Sequence, residues 1–441
     1  MINPTVLNVF VVILVIAVSF MKNNKKVQNF LISKIETLLF KNLKTTRDLE
    51  ASFSKVPVSF DSKFGNVNPY FTNGAAYTLR DLYDGLCAFK MYEMKSLQYN
   101  NVIRKRYKNL PKGQYELMKS IGYGEKLDTV DNTVVETNQV LINSLITSYV
   151  HSNAILKQKL EEHDPELQLR TPINANGVGF HRIVETLNHL ARDYSDEMFD
   201  METKPLLEYI QSRLDTVKLL KSEATLNDAK TCIILPGSGV GRIAHEVAAK
   251  YPNSHVHSIE FSSLMYLANQ FVYNGKETSS VSPFCNYYSN HLTTEDQLRK
   301  FELPLGSFAK PENLKTHYGD FTKFTLASEG NEYQDIIIVT AFFIDTAENL
   351  LSYLDAIESF QRNLADTKKS TLHWINIGPL KYGTKPMIQL TKKELSLLRK
   401  KRGWSDLQEL CDTSKKIGYI TDEKSLYKSY YSVLQFHSTK K

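Results

Sequence analysis

The sequence predicts an α/β fold, a doubly wound and mostly parallel sheet with an N-terminal helical region packed on it. Three observations carry that expectation. Cys232, Ile233, Ile234 and Leu235 form a continuous apolar run that suits a strand buried on both faces, and the run stops at Pro236. Three alternate glycines follow, Gly237, Gly239 and Gly241, and Ile243, Ala244, Val247 and Ala248 then recur at helical spacing. Beyond them, apolar strand patterns alternate with helical ones at His255–Glu260, 264–273, Leu314–Tyr318, 335–339, 348–364 and 372–377.

In chain order, residues 5–21 (TVLNVFVVILVIAVSFM) come first and carry no charge. At about 1.5 Å per residue they would reach roughly 26 Å as a helix, just short of a typical hydrocarbon core. No lysine or arginine precedes them and no small-residue cleavage site follows, so a membrane anchor is expected rather than a cleaved signal. Lys22, Lys25 and Lys26 would hold the following chain in the cytosol. Residues 1–26 are thus an anchor with a basic flank, and 27–77 a tether, because Pro57, Gly65, Pro69 and Gly74 interrupt any long period.

Residues 78–225 read as a helical cap. Leu79, Leu82, Tyr83, Leu86 and Phe89 mark one face of a helix over 79–99, and amphipathic stretches follow at 131–160, 181–194 and Lys204–Leu219. No low-complexity linker separates them from residues 226–441, the sheet domain, which favours packing on the sheet over an independent bundle. Within that domain Ser262 or Ser263 is placed to cap the second helix, 275–313 reads as an irregular insert, and 430–436 as the last strand of an antiparallel hairpin.

Composition narrows the function classes. A chain of 441 residues with 42% hydrophobic content is long enough for two domains with a substantial core. Its net charge of +6 is spread out, and the lysine clusters at 392–393 and 400–402 suit solvated helix faces, so nucleic acid is not an expected partner. Cys87, Cys232, Cys285 and Cys411 form no C-x-x-C pair, which argues against a disulfide framework or a zinc site.

The glycine loop then separates cofactors. A dinucleotide fingerprint would place its third glycine at position 242, where Arg242 stands, and no Gly-Lys-Ser/Thr ending suits a P-loop. Glu260, ending the second strand, is placed to accept hydrogen bonds from the two ribose hydroxyls of an adenosine. A G-x-G-x-G loop with this acid resembles the S-adenosylmethionine site of Rossmann-like class I methyltransferases. Asp320 and Phe321 would lie beside Glu260, Asp320 accepting from the adenine amino group and Phe321 covering the ring; capping of the next turn is the alternative for Asp320. Asp345, past the central strand, would hold or deprotonate a nitrogen nucleophile, or else cap a helix beginning near Thr346.

RDYS (192–195), LPGSGVGR (235–242), GDF (319–321), FFIDTA (342–347), WINIGPL (374–380) and KSYYSVL (428–434) occur in the order seen in the carnosine N-methyltransferase, or N2227-like, family, which the chain resembles over about residues 78–436. The resemblance implies methyl transfer from S-adenosyl-L-methionine to the imidazole of carnosine or a related histidine-containing dipeptide. It implies cofactor contacts from Arg192, Gly237, Glu260, Asp320 and Phe321, a catalytic and substrate-binding role for Asp345, and an acceptor contact from Tyr431. No metal is needed, because the sulfonium donor is already charged.

Three positions depart from the family pattern. His189 stands where the family has a cofactor-contacting glutamine, Ala341 where it has a cysteine, and Gly383 where it has an acceptor-contacting histidine. His373 lies at the wrong end of its strand to replace that histidine. The expected protein is therefore a membrane-anchored, cytosol-facing N-methyltransferase with a small peptide substrate, and a homodimer stays open. Two rivals remain: methylation of a protein histidine or another small imidazole, and a catalytically silent, membrane-tethered binding protein of the same fold.

Overall fold

The computed structural model describes residues 78–163, 178–219, 231–275, 278–326, 333–361 and 370–441, together with Lys34, Glu50, Ala51, Phe53, Tyr70, Phe71, Leu169, Pro172 and Ile173. The expected anchor at 5–21 and most of the tether lie outside these residues. Among the described residues no helix is long and apolar enough to cross a membrane.

Eleven strands are described: β1 (Thr231–Pro236), β2 (His255–Glu260), β3 (Ser279–Val281), β4 (Phe301–Leu303), β5 (Leu314–Tyr318), β6 (Asp335–Ala341), β7 (Thr371–Gly378), β8 (Ser405–Leu410), β9 (Ile417–Gly418), β10 (Tyr430–Tyr431) and β11 (Leu434–Lys440). Seven of them form the main sheet in the order β5-β2-β1-β6-β7-β11-β8. The pairs from β5 through β7 are parallel, and β11 then runs antiparallel to both β7 and β8. β1 sits between β2 and β6, with Cys232 opposite His255 on one side and Ile336 on the other. The chain order reverses there, and such a switch point opens a crevice beyond the carboxyl ends of the strands.

Both faces of the sheet are buried, which explains the unbroken apolar runs. Ile234, Ile336, Ile338, Leu372 and Trp374 pack on one face together with Leu350, Leu354 and Ile357. Their neighbours Ile233, Leu235, Ile337, Val339 and Ile375 point to the other face, against Leu206, Ile210, Leu214 and Val247. The helices that supply these partners are Leu350–Ser359, Lys204–Leu219 and Arg242–Lys250.

The N-terminal helices share one core with the helix Ser263–Asn274, where Leu82, Leu86, Leu145, Leu187 and Leu190 bury alongside Leu264, Leu267 and Phe271. Ser262 caps that helix, its hydroxyl accepting the N–H of Met265. The expected helix over 79–99 is two helices, Leu79–Lys90 and Tyr92–Lys108, meeting at Met91. The stretch over 131–160 also divides, with a wider π-helical segment at Val134–Gln139 before Val140–Ser152 and Ala154–His163. The expected insert at 275–313 is more regular than its sequence suggests, because β3 and β4 pair antiparallel within it.

At the far edge, the basic helix Lys392–Lys401 faces carboxylates as well as water. Arg399 is fully buried, bonded to Asp406 and Glu409 and stacked 3.8 Å from the ring centre of Phe436.

Candidate active site at the strand ends

The glycine loop closes back on the sheet. Gly237 has φ +61°, and a Cβ there would lie 2.3 Å from the Cδ2 atom of Phe343, so this glycine makes room for a ring of the protein itself. Ser238 is held by its N–H to the carbonyl of Ile259 and by its hydroxyl, which accepts from that of Ser258. Gly241, in the left-handed region at φ +89°, precedes the helix Arg242–Lys250, whose first N–H groups have no partner within the helix.

Glu260 anchors the other wall. One carboxylate oxygen accepts the N–H of Gly239 at 2.7 Å and the other the N–H of Ser262 at 2.6 Å. Burial outweighs these bonds and pushes the carboxyl up to about 7. The N–H of Phe261 bonds the same carboxylate, and the space beyond Gly239 is open, since a Cβ there would meet nothing within 4 Å. A ligand bringing a pair of hydroxyl donors fits this acid, and an adenosine ribose has such a pair.

Asp320 follows β5, where the N–H of Gly319 donates to the carbonyl of Glu260 at 2.8 Å and holds the two strand ends together. One Asp320 oxygen accepts both the N–H and the hydroxyl of Thr322, so the capping role is formed while its second oxygen has no bond in that turn. Phe321 differs from its expected place as a cover over a ligand ring. It is 4% exposed and packs edge-on to Phe343 and Tyr353, which makes its ring part of the core floor beneath the crevice.

Arg192 ends the helix Phe180–Tyr194 and reaches over the sheet. Its Nε donates to Asp193 at 2.7 Å, and its guanidinium lies 5.7 Å from the ring centre of Tyr419. Burial opposes that charge, but the Asp193 carboxylate more than offsets it and keeps the guanidinium fully protonated. His189, one turn earlier, approaches the Tyr419 hydroxyl at 3.4 Å, and burial pushes its imidazole down to about 3. Arg242, the residue that excluded a dinucleotide fingerprint, ties this helix to the loop by donating to the carbonyl of Asp193 at 2.8 Å. Glu202 ties it to the C-terminal hairpin by accepting the N–H groups of Ile420 and Thr421.

Asp345 lies in a short turn after β6 and is 7% exposed. The expected capping role falls to Asn349 instead, whose side chain accepts the N–H of Leu351 at the start of Leu350–Ser359. One Asp345 oxygen accepts the main-chain N–H of Lys381 at 2.9 Å. Burial raises its carboxyl above the ordinary aspartate value, and the Lys381 bond opposes that rise without cancelling it. The Lys381 ammonium donates to the hydroxyl of Tyr431 at 2.8 Å, which brings the two sequence-selected acceptor residues into one network.

An aromatic wall completes the site, and of its three rings Tyr419 is the one that no sequence motif points to. Phe342, at φ +52°, stacks on Tyr419 at 5.2 Å and 13°, and Tyr431 meets both rings edge-on. Gly378 of β7 permits this bend, because a Cβ there would lie 2.9 Å from the backbone nitrogen of Phe342. The pairing of β9 with β10 sets Tyr431 opposite Ile417 and brings Tyr419 close by. Gly383 lies on the exposed loop after Lys381 with open space around it. His373 is opposite Ile337 near the start of β7, bonded to His437 and Asp335, at the other end of the strand from Asp345.

The family model for carnosine N-methyltransferases matches residues 170–441, which take in every strand described above. The chain belongs to the carnosine N-methyltransferase family. It is an S-adenosylmethionine-dependent methyltransferase of that family. The chain is also similar to an uncharacterized protein of Saccharomyces cerevisiae, 32% identical with 99% of both chains covered. The carnosine N-methyltransferase of Schizosaccharomyces pombe is 27% identical over 59% of this chain and 72% of its own length. That of Mus musculus is 25% identical over 79% of this chain and 83% of its own.

Proposed function

We propose that this chain transfers the methyl group of S-adenosylmethionine to an imidazole nitrogen of a histidine-containing dipeptide, with carnosine the first candidate. The observation that carries the reading is the carboxylate of Asp345, buried at the end of β6, fixed by Lys381 and facing the same network as Tyr431.

When bound, the donor supplies a methyl group on a sulfonium that is already positively charged. Glu260 and the glycine loop hold its ribose, and Arg192 closes over it from the helical side. Asp345 accepts the N–H of the acceptor imidazole, which turns the opposite ring nitrogen and its lone pair toward the methyl group. The same carboxylate, its affinity for protons raised by burial, takes the proton that the product ring releases. Phe342, Tyr419 and Tyr431 keep water away and narrow the orientations open to the acceptor, so most of the rate comes from alignment.

Incubating the purified full chain with methyl-labelled donor and carnosine tests the reading. Label in the dipeptide supports it, and label confined to macromolecules of an added extract rejects it. That second outcome is the alternative reading, a protein histidine as acceptor, which the exposed and open position of Gly383 favours. Membrane attachment through residues 5–21 is part of the proposal too. Detergent, but not alkaline carbonate, should release the full chain from membranes, and a chain lacking residues 1–26 should not sediment with them.

A further inference from the structure

The Lys381 ammonium stands at the mouth of the acceptor site without a carboxylate of its own. It donates to the Tyr431 hydroxyl at 2.8 Å and lies 5.5 Å from the centre of that ring. Three other lysines of the C-terminal region are paired with acids, Lys392 with Glu409, Lys428 with Glu423 and Lys440 with Glu358. Among the described residues no carboxylate lies within ion-pair distance of the Lys381 ammonium; its charge is felt at longer range by Asp345, and the phenols of Tyr427 and Tyr419 are its further neighbours. An ammonium offers three donors and a phenol uses one.

The same residue also fixes the buried acid, because its main-chain N–H is the one that Asp345 accepts. One residue thus serves both ends of the site, its main-chain N–H on the acid inside and its ammonium beside Tyr431 at the rim. Such a pocket is dipolar, and its complement is a molecule with a proton donor at one end and an anion at the other.

We propose that Lys381 is a specificity-determining residue that binds a carboxylate of the acceptor, so that the substrate class is an imidazole bearing a free carboxylate. This rests on the imidazole reading above. A histidine inside a protein chain brings no such group at its own position, whereas a free dipeptide always does. Tyr431 then positions Lys381 as well as the acceptor, and the exposed ammonium exchanges water for carboxylate with little desolvation cost.

The test compares carnosine with its C-terminal amide on the full-length enzyme and on Lys381→Met and Lys381→Arg variants. The wild-type chain should favour the free acid by about two- to fivefold in kcat/KM, the size expected of one exposed charge-assisted contact, and mainly through KM. Lys381→Met should bring the acid-to-amide ratio close to one, and Lys381→Arg should restore most of it. Equal use of acid and amide by the wild-type chain, or an unchanged ratio in Lys381→Met, overturns the role of Lys381 alone. Turnover of neither compound by a chain that binds the donor overturns the imidazole reading, and this inference with it.

Discussion

The ring of Phe343 occupies the space that a side chain at Gly237 would need, its Cδ2 atom 2.3 Å from the ideal Cβ position. Phe343 belongs to the turn that ends in Asp345, and it stacks on Tyr353 at 4.7 Å and 12°. The glycine loop and the turn that carries Asp345 are therefore packed against each other, and a shift of one displaces the other.

Gly237→Ala should consequently damage both stability and binding. A left-handed alanine costs roughly 1–2 kcal/mol, and the forced displacement of a packed ring adds roughly 1–3. Thermal unfolding should show a clear drop in Tm, and calorimetry a weaker affinity for S-adenosylhomocysteine. Adding Phe343→Leu should recover part of the stability but not the backbone term. A single variant as stable as the wild type would remove the packing argument.

If Glu260 holds the donor ribose as proposed, donor binding should depend on pH. Its carboxyl titrates at about 7 in the folded chain, against roughly 4.3 for an unperturbed glutamate. Ribose hydroxyls donate to the charged form, so binding lowers this pKa and releases a proton. Affinity for S-adenosylhomocysteine should rise with pH up to about 7 and level off above it, and calorimetry in buffers of different ionisation enthalpy should detect the proton. The stability of the ligand-free chain runs the other way. Its folded form keeps a proton that the unfolded chain loses above roughly pH 4.3, so the contribution of Glu260 falls as pH rises to about 7. Glu260→Gln should flatten both profiles.

The strands β1, β2, β5, β6 and β7 are legible in the sequence to within two residues: β1 and β6 because a parallel strand buried on both faces is apolar throughout, the others from shorter apolar or alternating patterns between helical stretches. β8 escapes the same reading. It is an edge strand reading SDLQEL, and its acids serve Arg399 rather than the core. Gly237, Glu260, Asp320 and Asp345 stand out in the sequence because each ends or closely follows a readable strand. Tyr419 and Lys381 do not, since Tyr419 follows a strand of two residues and acts through its stacking on Phe342, a contact between segments far apart in the chain. The ring of Phe321 lies in the core for a related reason. Its motif fixes the backbone beside the crevice, while the side chain follows the pull of Phe343, Tyr353 and Phe360 into the core.

Asp345→Asn separates charge from shape. The amide oxygen can still accept the Lys381 N–H, so the turn and the donor site should persist. The amide cannot take a proton from the acceptor ring, and general-base contributions of this kind are worth about 10²–10⁴ in rate. Turnover should fall by at least about a hundredfold, while S-adenosylhomocysteine binding stays within error of the wild type. A raised carboxyl in the wild type should also appear as an acidic limb in kcat/KM, lost in the variant. Wild-type turnover by Asp345→Asn would leave the site without its base.

Tyr419 distinguishes a ring from a hydroxyl. Its face carries the Arg192 guanidinium and the Phe342 ring, whereas its hydroxyl has only the long approach to His189, an imidazole that burial keeps neutral. If the face matters, Tyr419→Phe should change the KM for S-adenosylmethionine by less than about twofold, since cation–π attraction survives the loss of the hydroxyl. Tyr419→Leu should raise that KM by about fivefold or more, because an exposed to half-buried cation–π contact is worth roughly 0.5–2 kcal/mol and the leucine offers Arg192 no π-face. It should also loosen Phe342 and so raise the KM for the acceptor. An equal defect in both variants would instead assign the work to the hydroxyl and its contact with His189.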